Sequence, residues 1–131
     1  MKLMRKVDAP AGPGPAAYFT GEVTIERLHD HAAPARADAA RVSFAPGART
    51  AWHTHPLGQL LIVVAGEGWA RTEGEDKLVI RAGDVVWIPP GERHWHGATD
   101  TSGMTHIAVQ EAMDGSAADW QEPVTDADYL G

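Results

Sequence analysis

The sequence predicts an all-β fold, a closed barrel or sandwich of short strands. Short apolar or alternating runs recur every ~8–12 residues, the spacing of antiparallel strands joined by turns. The 14 glycines and 9 prolines punctuate those runs and work against a helical bundle. A chain of 131 residues suggests one domain with one sizeable core. The expected division of residues 1–131 is an N-terminal arm over 1–20, a barrel over 21–112 and a C-terminal tail over 113–131.

Residues 8–17, Asp-Ala-Pro-Ala-Gly-Pro-Gly-Pro-Ala-Ala, are too rich in Pro and Gly for regular structure and read as the arm. Tyr18 and Phe19 give it an apolar anchor. Val23 to Leu28 alternates like a strand. His29-Asp30-His31 follows in a run rich in Ala, Pro and Asp; with no third ligand nearby, it reads as a surface loop. Ala40 to Phe44 is a strand with Ala40, Val42 and Phe44 on one face, ending at Pro46-Gly47. Thr50 to His55 and Gln59 to Val64 come next, and the second ends at a turn over Ala65-Gly66-Glu67-Gly68. Gly68 to Thr72 turns at Glu73-Gly74-Glu75-Asp76. Lys77 to Ile80 and Asp84 to Ile88 are joined by Arg81-Ala82-Gly83. After the turn Pro89 to Glu92 come Arg93 to Gly97 and the long strand Met104 to Glu111. In the tail, Thr125 is an N-cap before acidic residues and predicts one short helical turn, docked by Trp120 and Tyr129.

Composition narrows the function. A net charge of −7 argues against a nucleic-acid backbone as partner. The absence of cysteine excludes disulfides, thiolate metal sites and a cysteine nucleophile. Met1 to Lys6 is basic with no apolar stretch behind it, and no apolar run approaches the ~20 residues of a membrane span. A cytoplasmic protein without membrane contact is the expectation.

The histidines carry the chemistry. His53 and His55 are two apart in a strand, so both imidazoles point to one face and Trp52 and Thr54 to the other. His94 and His96 repeat the arrangement with Trp95 opposite, and His106 shares a face with Met104, Ala108 and Gln110. If the sheet closes, these faces converge inside it, where imidazoles and an amide suit Mn, Fe, Co, Ni or Zn.

Two spaced motifs resemble the cupins. The first reads Gly47, His53, His55, Gln59, Gly66, with Gln where most cupins carry Glu; the second reads Gly83, Pro89, Gly91, His94, with Ala98 where Asn is usual. The resemblance implies a cupin barrel, the double-stranded β-helix or jelly roll, with a divalent metal on His53, His55, Gln59 and His94. The segments Ala48 to Gln59, Gly83 to Trp87, Glu92 to Ala98 and Met104 to Glu111 are similar to those of the bacterial manganese-dependent cupin hydroxynitrile lyases. That family cleaves (R)-cyanohydrins such as mandelonitrile reversibly to an aldehyde and cyanide, usually as a tetramer. The resemblance favours Mn2+, a small-molecule substrate and a homo-oligomer, dimer or tetramer.

Around such a metal, four neutral ligands leave its double charge intact, whereas the usual Glu would remove one unit; the ion is then a stronger electrophile. His106 is the expected general base and Gln110 a polar wall beside it, with a buried core histidine as the other reading. His96 either faces the pocket or supports a ligand from behind. Thr50 is placed to hydrogen-bond a ligand, and Arg49 reads as a surface group. Ala40, Val42, Phe44, Leu61 and Val63 are expected to wall an apolar pocket. Trp52, Trp87 and Trp95 read as outer-face core or subunit contacts. Two other classes stay open: a different metal-dependent cupin enzyme (dioxygenase, isomerase or decarboxylase), and a small-molecule-binding cupin without catalysis.

Overall fold

A computed structural model describes all residues 1–131. Twelve strands follow a 3-10 turn at Lys6–Asp8. They are β1 (Ala11–Pro13), β2 (Phe19–Thr20), β3 (Val23–His29), β4 (Ala37–Phe44), β5 (Arg49–Thr50), β6 (His53–Thr54) and β7 (Gln59–Thr72). They continue as β8 (Leu78–Arg81), β9 (Val85–Ile88), β10 (His94–Ala98), β11 (Met104–Glu111) and β12 (Asp119–Trp120), before helix α1 (Asp126–Leu130). No helix is long and apolar enough to cross a membrane.

All pairings are antiparallel, and β7 organises them. Its first half lies between β11 and β9, in a sheet continued by β4, β3 and β1; its second half lies between β10 and β8, in a sheet continued by β5 and β2. One 14-residue strand therefore passes from one sheet to the other. The turn expected at Ala65–Gly68 is instead a bend inside a continuous strand. Glycine makes the bend possible. A Cβ on Gly66 would sit 2.0 Å from Gly103 O, and its φ of +74° lies in the left-handed region.

The arm is also more structured than its composition suggested. Ala11–Pro13 pairs with Thr24 to Glu26 at the sheet edge, where a strand tolerates Pro because one side of its backbone needs no partner. Phe19–Thr20 pairs with β5. The expected 50–55 strand is interrupted, with Ala51 and Trp52 between β5 and β6.

The faces follow the two-residue period. Val23, Val42, Phe44, Ala48, Val63, Ala70, Ile80, Ala98 and Met104 form the main core inside the barrel, with Leu61, Ile88 and Ala108 beside it. Outside the second sheet, Trp52 and Trp95 meet Val124 and Tyr129 of the tail. Cations fasten the tail there. Arg49 donates to Val124 O (2.7 Å) and Asp126 Oδ1 (2.8 Å) and stacks on Tyr129. Arg49 is thus buried, not at the surface as expected, because the tail covers it. Lys77 lies 3.6 Å from the Trp69 ring centre and donates to Tyr129 O. Arg93 bonds Glu73 and Glu122 and stacks on Trp52. The expected N-cap is present: Thr125 accepts the Asp128 amide. Trp87, in contrast, is 57% exposed.

Candidate metal centre

Along β11 the inward residues run Met104, His106, Ala108, Gln110, from the core towards a cavity of about 390 Å3 at the other end of the barrel. Thr50, His53, His55, Gln59, His96 and Gln110 form its polar side. Phe19, Ile25, Ala40, Val42 and Trp120 form its apolar side, and Gly115 to Ala118 complete the lining.

Strand geometry brings the histidines together. The His53 and His55 rings lie 4.9 Å apart, and antiparallel pairing of His53 with His94 sets those rings 4.2 Å apart. One ring nitrogen from each of His53, His94 and His96 lies within 4.8 Å of the others, so these three buried histidines could hold a metal ion. His55 and Gln59 line the cavity together with His53 and His96; His94 is not among its lining residues.

Hydrogen bonds fix which atom of each side chain is left free. His53 Nδ1 donates to Ala51 O (2.9 Å), His55 Nδ1 to Ala117 O (2.7 Å) and His94 Nδ1 to Glu92 O (2.8 Å). A carbonyl accepts only, so each Nδ1 carries the proton and each Nε2 a free lone pair. Gln59 Nε2 donates to Gln110 Oε1 (3.1 Å), which orients the amide and frees Oε1. The three Nε2 atoms and Gln59 Oε1 are all buried with no partner in the protein. His96 Nε2 is bare as well, and this set of orphaned atoms in one buried region suits a divalent cation.

The site also favours neutral imidazoles. Burial, and then the neighbouring His94 and His55, hold the pKa of His53 well below the ordinary value. Burial lowers His55 as well and brings His94 to about 4. Neutral imidazole is the metal-binding form, so the ligands need lose no proton at neutral pH.

His96 differs from the others. Its Nδ1 faces His106 Nε2 at 3.0 Å, another imidazole that can either give or take a proton. Its tautomer is therefore not fixed by a carbonyl. Burial and the adjacent His106 hold the His96 pKa well below normal; burial brings His106 to about 4. His106 is fully buried, against Phe44 at 5.3 Å, and does not line the cavity, whereas its partner His96 does. Thr50 lines the cavity and its Oγ accepts the His96 amide (3.2 Å).

Of the five residues expected to wall the pocket, Ala40 and Val42 do so. Phe44, Leu61 and Val63 lie one layer deeper in the core, because β4 and β7 run past the cavity floor before these positions. Phe19, Ile25 and Trp120 were missed as wall residues. Ile25 had a signal, the alternation with Val23. Phe19 and Trp120 sit in aperiodic segments that gave none. His29 and His31 stay outside the site, exposed as expected, with His31 paired to Asp38 (2.8 Å).

A curled two-sheet barrel with inward-facing histidines defines the class, and the Cupin domain family matches residues 40–109. The chain belongs to the cupin family. The (R)-mandelonitrile lyase of Granulicella tundricola is 56% identical over 129 residues, 98% of each chain. Among solved structures, a cupin-like protein from Thermotoga maritima superposes with a TM-score of 0.85 at 38% identity, over 89% of each chain. The polyketide cyclase of Streptomyces resistomycificus shares the fold at a TM-score of 0.72 and 18% identity, covering 98% of this chain and 90% of its own.

Proposed function

We propose that this cupin is a metal-dependent hydroxynitrile lyase that cleaves (R)-cyanohydrins such as mandelonitrile to an aldehyde and cyanide, reversibly. The observation that carries the reading is the set of orphaned lone pairs on His53, His55, Gln59 and His94 beside the His96–His106 pair and an apolar wall. The 56% identity to a mandelonitrile lyase across nearly the whole of both chains supports the substrate class.

His53, His55, Gln59 and His94 would hold the ion, since a carbonyl or amide partner fixes which atom of each is bare, whereas His96 Nε2 is bare on a ring whose tautomer is open. His96 is left to face the substrate. The bound ion supplies positive charge that lowers the pKa of an adjacent hydroxyl. The remaining work falls to the protein. The apolar wall of Phe19, Ile25, Ala40, Val42 and Trp120 takes the aryl group and excludes water. His96, neutral at pH 7 because burial depresses its pKa, accepts the cyanohydrin hydroxyl proton. Its Nδ1–His106 hydrogen bond shares the charge that develops. The oxygen lone pair forms the carbonyl as the C–C bond breaks, and the bonding pair leaves with cyanide. Thr50 and Gln110, both on the polar wall, orient the nitrile. His96 returns the proton to cyanide, so aldehyde and hydrogen cyanide leave and the enzyme is unchanged. In this account His106 acts through His96, not on substrate.

Manganese as the ion, a homo-oligomeric assembly and a cytoplasmic location belong to the same reading. The exposed Val85 and Trp87 on one sheet face support an assembly. The test is mandelonitrile cleavage by manganese-loaded protein, by protein stripped with EDTA, and by His96→Ala. Activity is expected in the first only, with His106→Ala reduced but less so than His96→Ala. Equal turnover in all four samples rejects the mechanism.

A further inference from the structure

The tail does more than cover the outer sheet. After its polypeptide leaves β11 it lines the cavity, and two of its groups reach the candidate ligands. Ala117 O accepts the His55 Nδ1 proton at 2.7 Å. The Trp120 ring lies 4.4 Å from the His53 ring with the planes 27° apart. Tyr18 stacks on Trp120 at 4.7 Å and 17°. A column of three rings thus runs from the half-exposed Tyr18 of the arm to a fully buried imidazole. The backbone reinforces it. Asp119 and Trp120 of β12 pair with Thr54 and His53 of β6, and the Gln121 amide donates to Trp52 O (2.9 Å).

We propose that the segment Ala117–Trp120 is a working part of the metal centre, with Trp120 a positioning residue that holds the His53 imidazole in its metal-binding plane. The inference rests on the metal half of the reading above and not on the reaction. The physical reasoning is that β6 is only two residues long and cannot by itself fix two ring planes. The His53 Nδ1–Ala51 O bond constrains the tautomer but leaves the ring free to tilt about that bond. A flat indole stacked on the ring face removes the tilt. Outer partners of metal-bound histidines typically change metal affinity 10–100-fold. Metal binding and tail docking are then linked, and the coupling must be reciprocal.

Manganese(II) titration, with the free aqua ion followed by electron paramagnetic resonance, tests this on the full chain. Trp120→Ala is expected to weaken binding about 10-fold or more, whereas Trp120→Phe, which keeps a flat ring, stays within about threefold of wild type. A folded Trp120→Ala that melts lower but binds manganese as wild type does would overturn the proposal, since a merely structural role predicts that pattern. Should Trp120→Ala not fold, amide exchange in wild type decides. Manganese is expected to slow exchange at the Gln121 amide, and unchanged exchange there overturns the linkage. The lyase reading can fail separately: loss of affinity in Trp120→Ala, with no cyanohydrin cleavage by wild type, leaves this inference standing.

Discussion

At the scale of single residues, Gln59 would set the charge of the proposed centre. With three neutral imidazoles and a neutral amide as ligands, nothing in the set would offset the charge of a divalent ion. Replacing Gln59 by Glu adds one negative charge at the ligand position with little change of shape. Gln110 can turn its amide nitrogen towards the new carboxylate, so the hydrogen bond between the pair survives. Coulombic attraction makes the ion bind more tightly, and the same charge weakens its pull on a substrate oxygen. Gln59→Glu is therefore expected to bind manganese more tightly while kcat/KM for mandelonitrile falls about 10-fold or more, a loss of ~1.4 kcal/mol in transition-state stabilisation. Manganese titration and initial rates on the same preparation check both halves; unaltered kcat/KM would mean that the charge of the site is not used. That His53, His55, His94 and His96 share one buried region was legible in the sequence, because strand periodicity aligns residues two apart. The depth of His106 was not, because alternation says that a side chain faces inward and not how far from the cavity it lies. Arg49 was misread for a related reason: its cover comes from residues 75 and 77 positions downstream.

At the scale of elements, β7 shows what local pattern can and cannot convey. Its two apolar halves were readable as strands, and the glycines between them looked like a turn. In the fold they serve close approach as well. A Cβ on Gly68 would meet Gly97 O at 2.3 Å and Met104 Sδ at 2.4 Å. The sulfur can move; the Gly97 carbonyl belongs to β10, which carries His94 and His96. Gly68→Ala is thus expected to destabilise the protein by about 1–3 kcal/mol, the usual cost of overpacking. It should also reduce lyase activity in the protein that remains folded, because β10 must shift. Urea unfolding checks the first expectation through a lower midpoint at unchanged slope. A Gly68→Ala protein with wild-type midpoint and activity would show that β10 yields without cost. The opposite error occurred at Ala11–Pro13, where composition concealed a strand. Proline penalises a central strand but not an edge, and edge position is a tertiary fact.

At the scale of the whole molecule, five imidazoles share one buried region, and that has a consequence for folding. In the unfolded chain a histidine titrates near pH 6.5. In the folded protein without metal, burial lowers His94 and His106 to about 4, and lowers His53, His55 and His96 as well. Between pH 6.5 and about 4 the unfolded state therefore binds more protons than the folded state. Stability falls as pH drops through this window, and above pH 6.5 these groups impose no penalty. A depression of that size corresponds to about 3 kcal/mol per histidine. For His94 and His106 together this is comparable with the lower range of total stabilities, ~5–15 kcal/mol. EDTA-stripped protein is thus expected to keep a flat melting temperature from pH 8.5 to about 7, then to lose stability steeply and unfold near pH 5 at ambient temperature. Manganese should shift the fall to lower pH, because it binds only the deprotonated ligands and favours the folded chain. His106→Leu should make the fall shallower whatever it does to the melting temperature at pH 8, since it removes one of the titrating groups. Melting temperatures collected across this range, with and without manganese, measure the slope directly. A stripped protein equally stable at pH 7 and pH 5 would mean that the buried imidazoles already hold protons in the folded state, and the neutral, metal-ready cluster would be excluded.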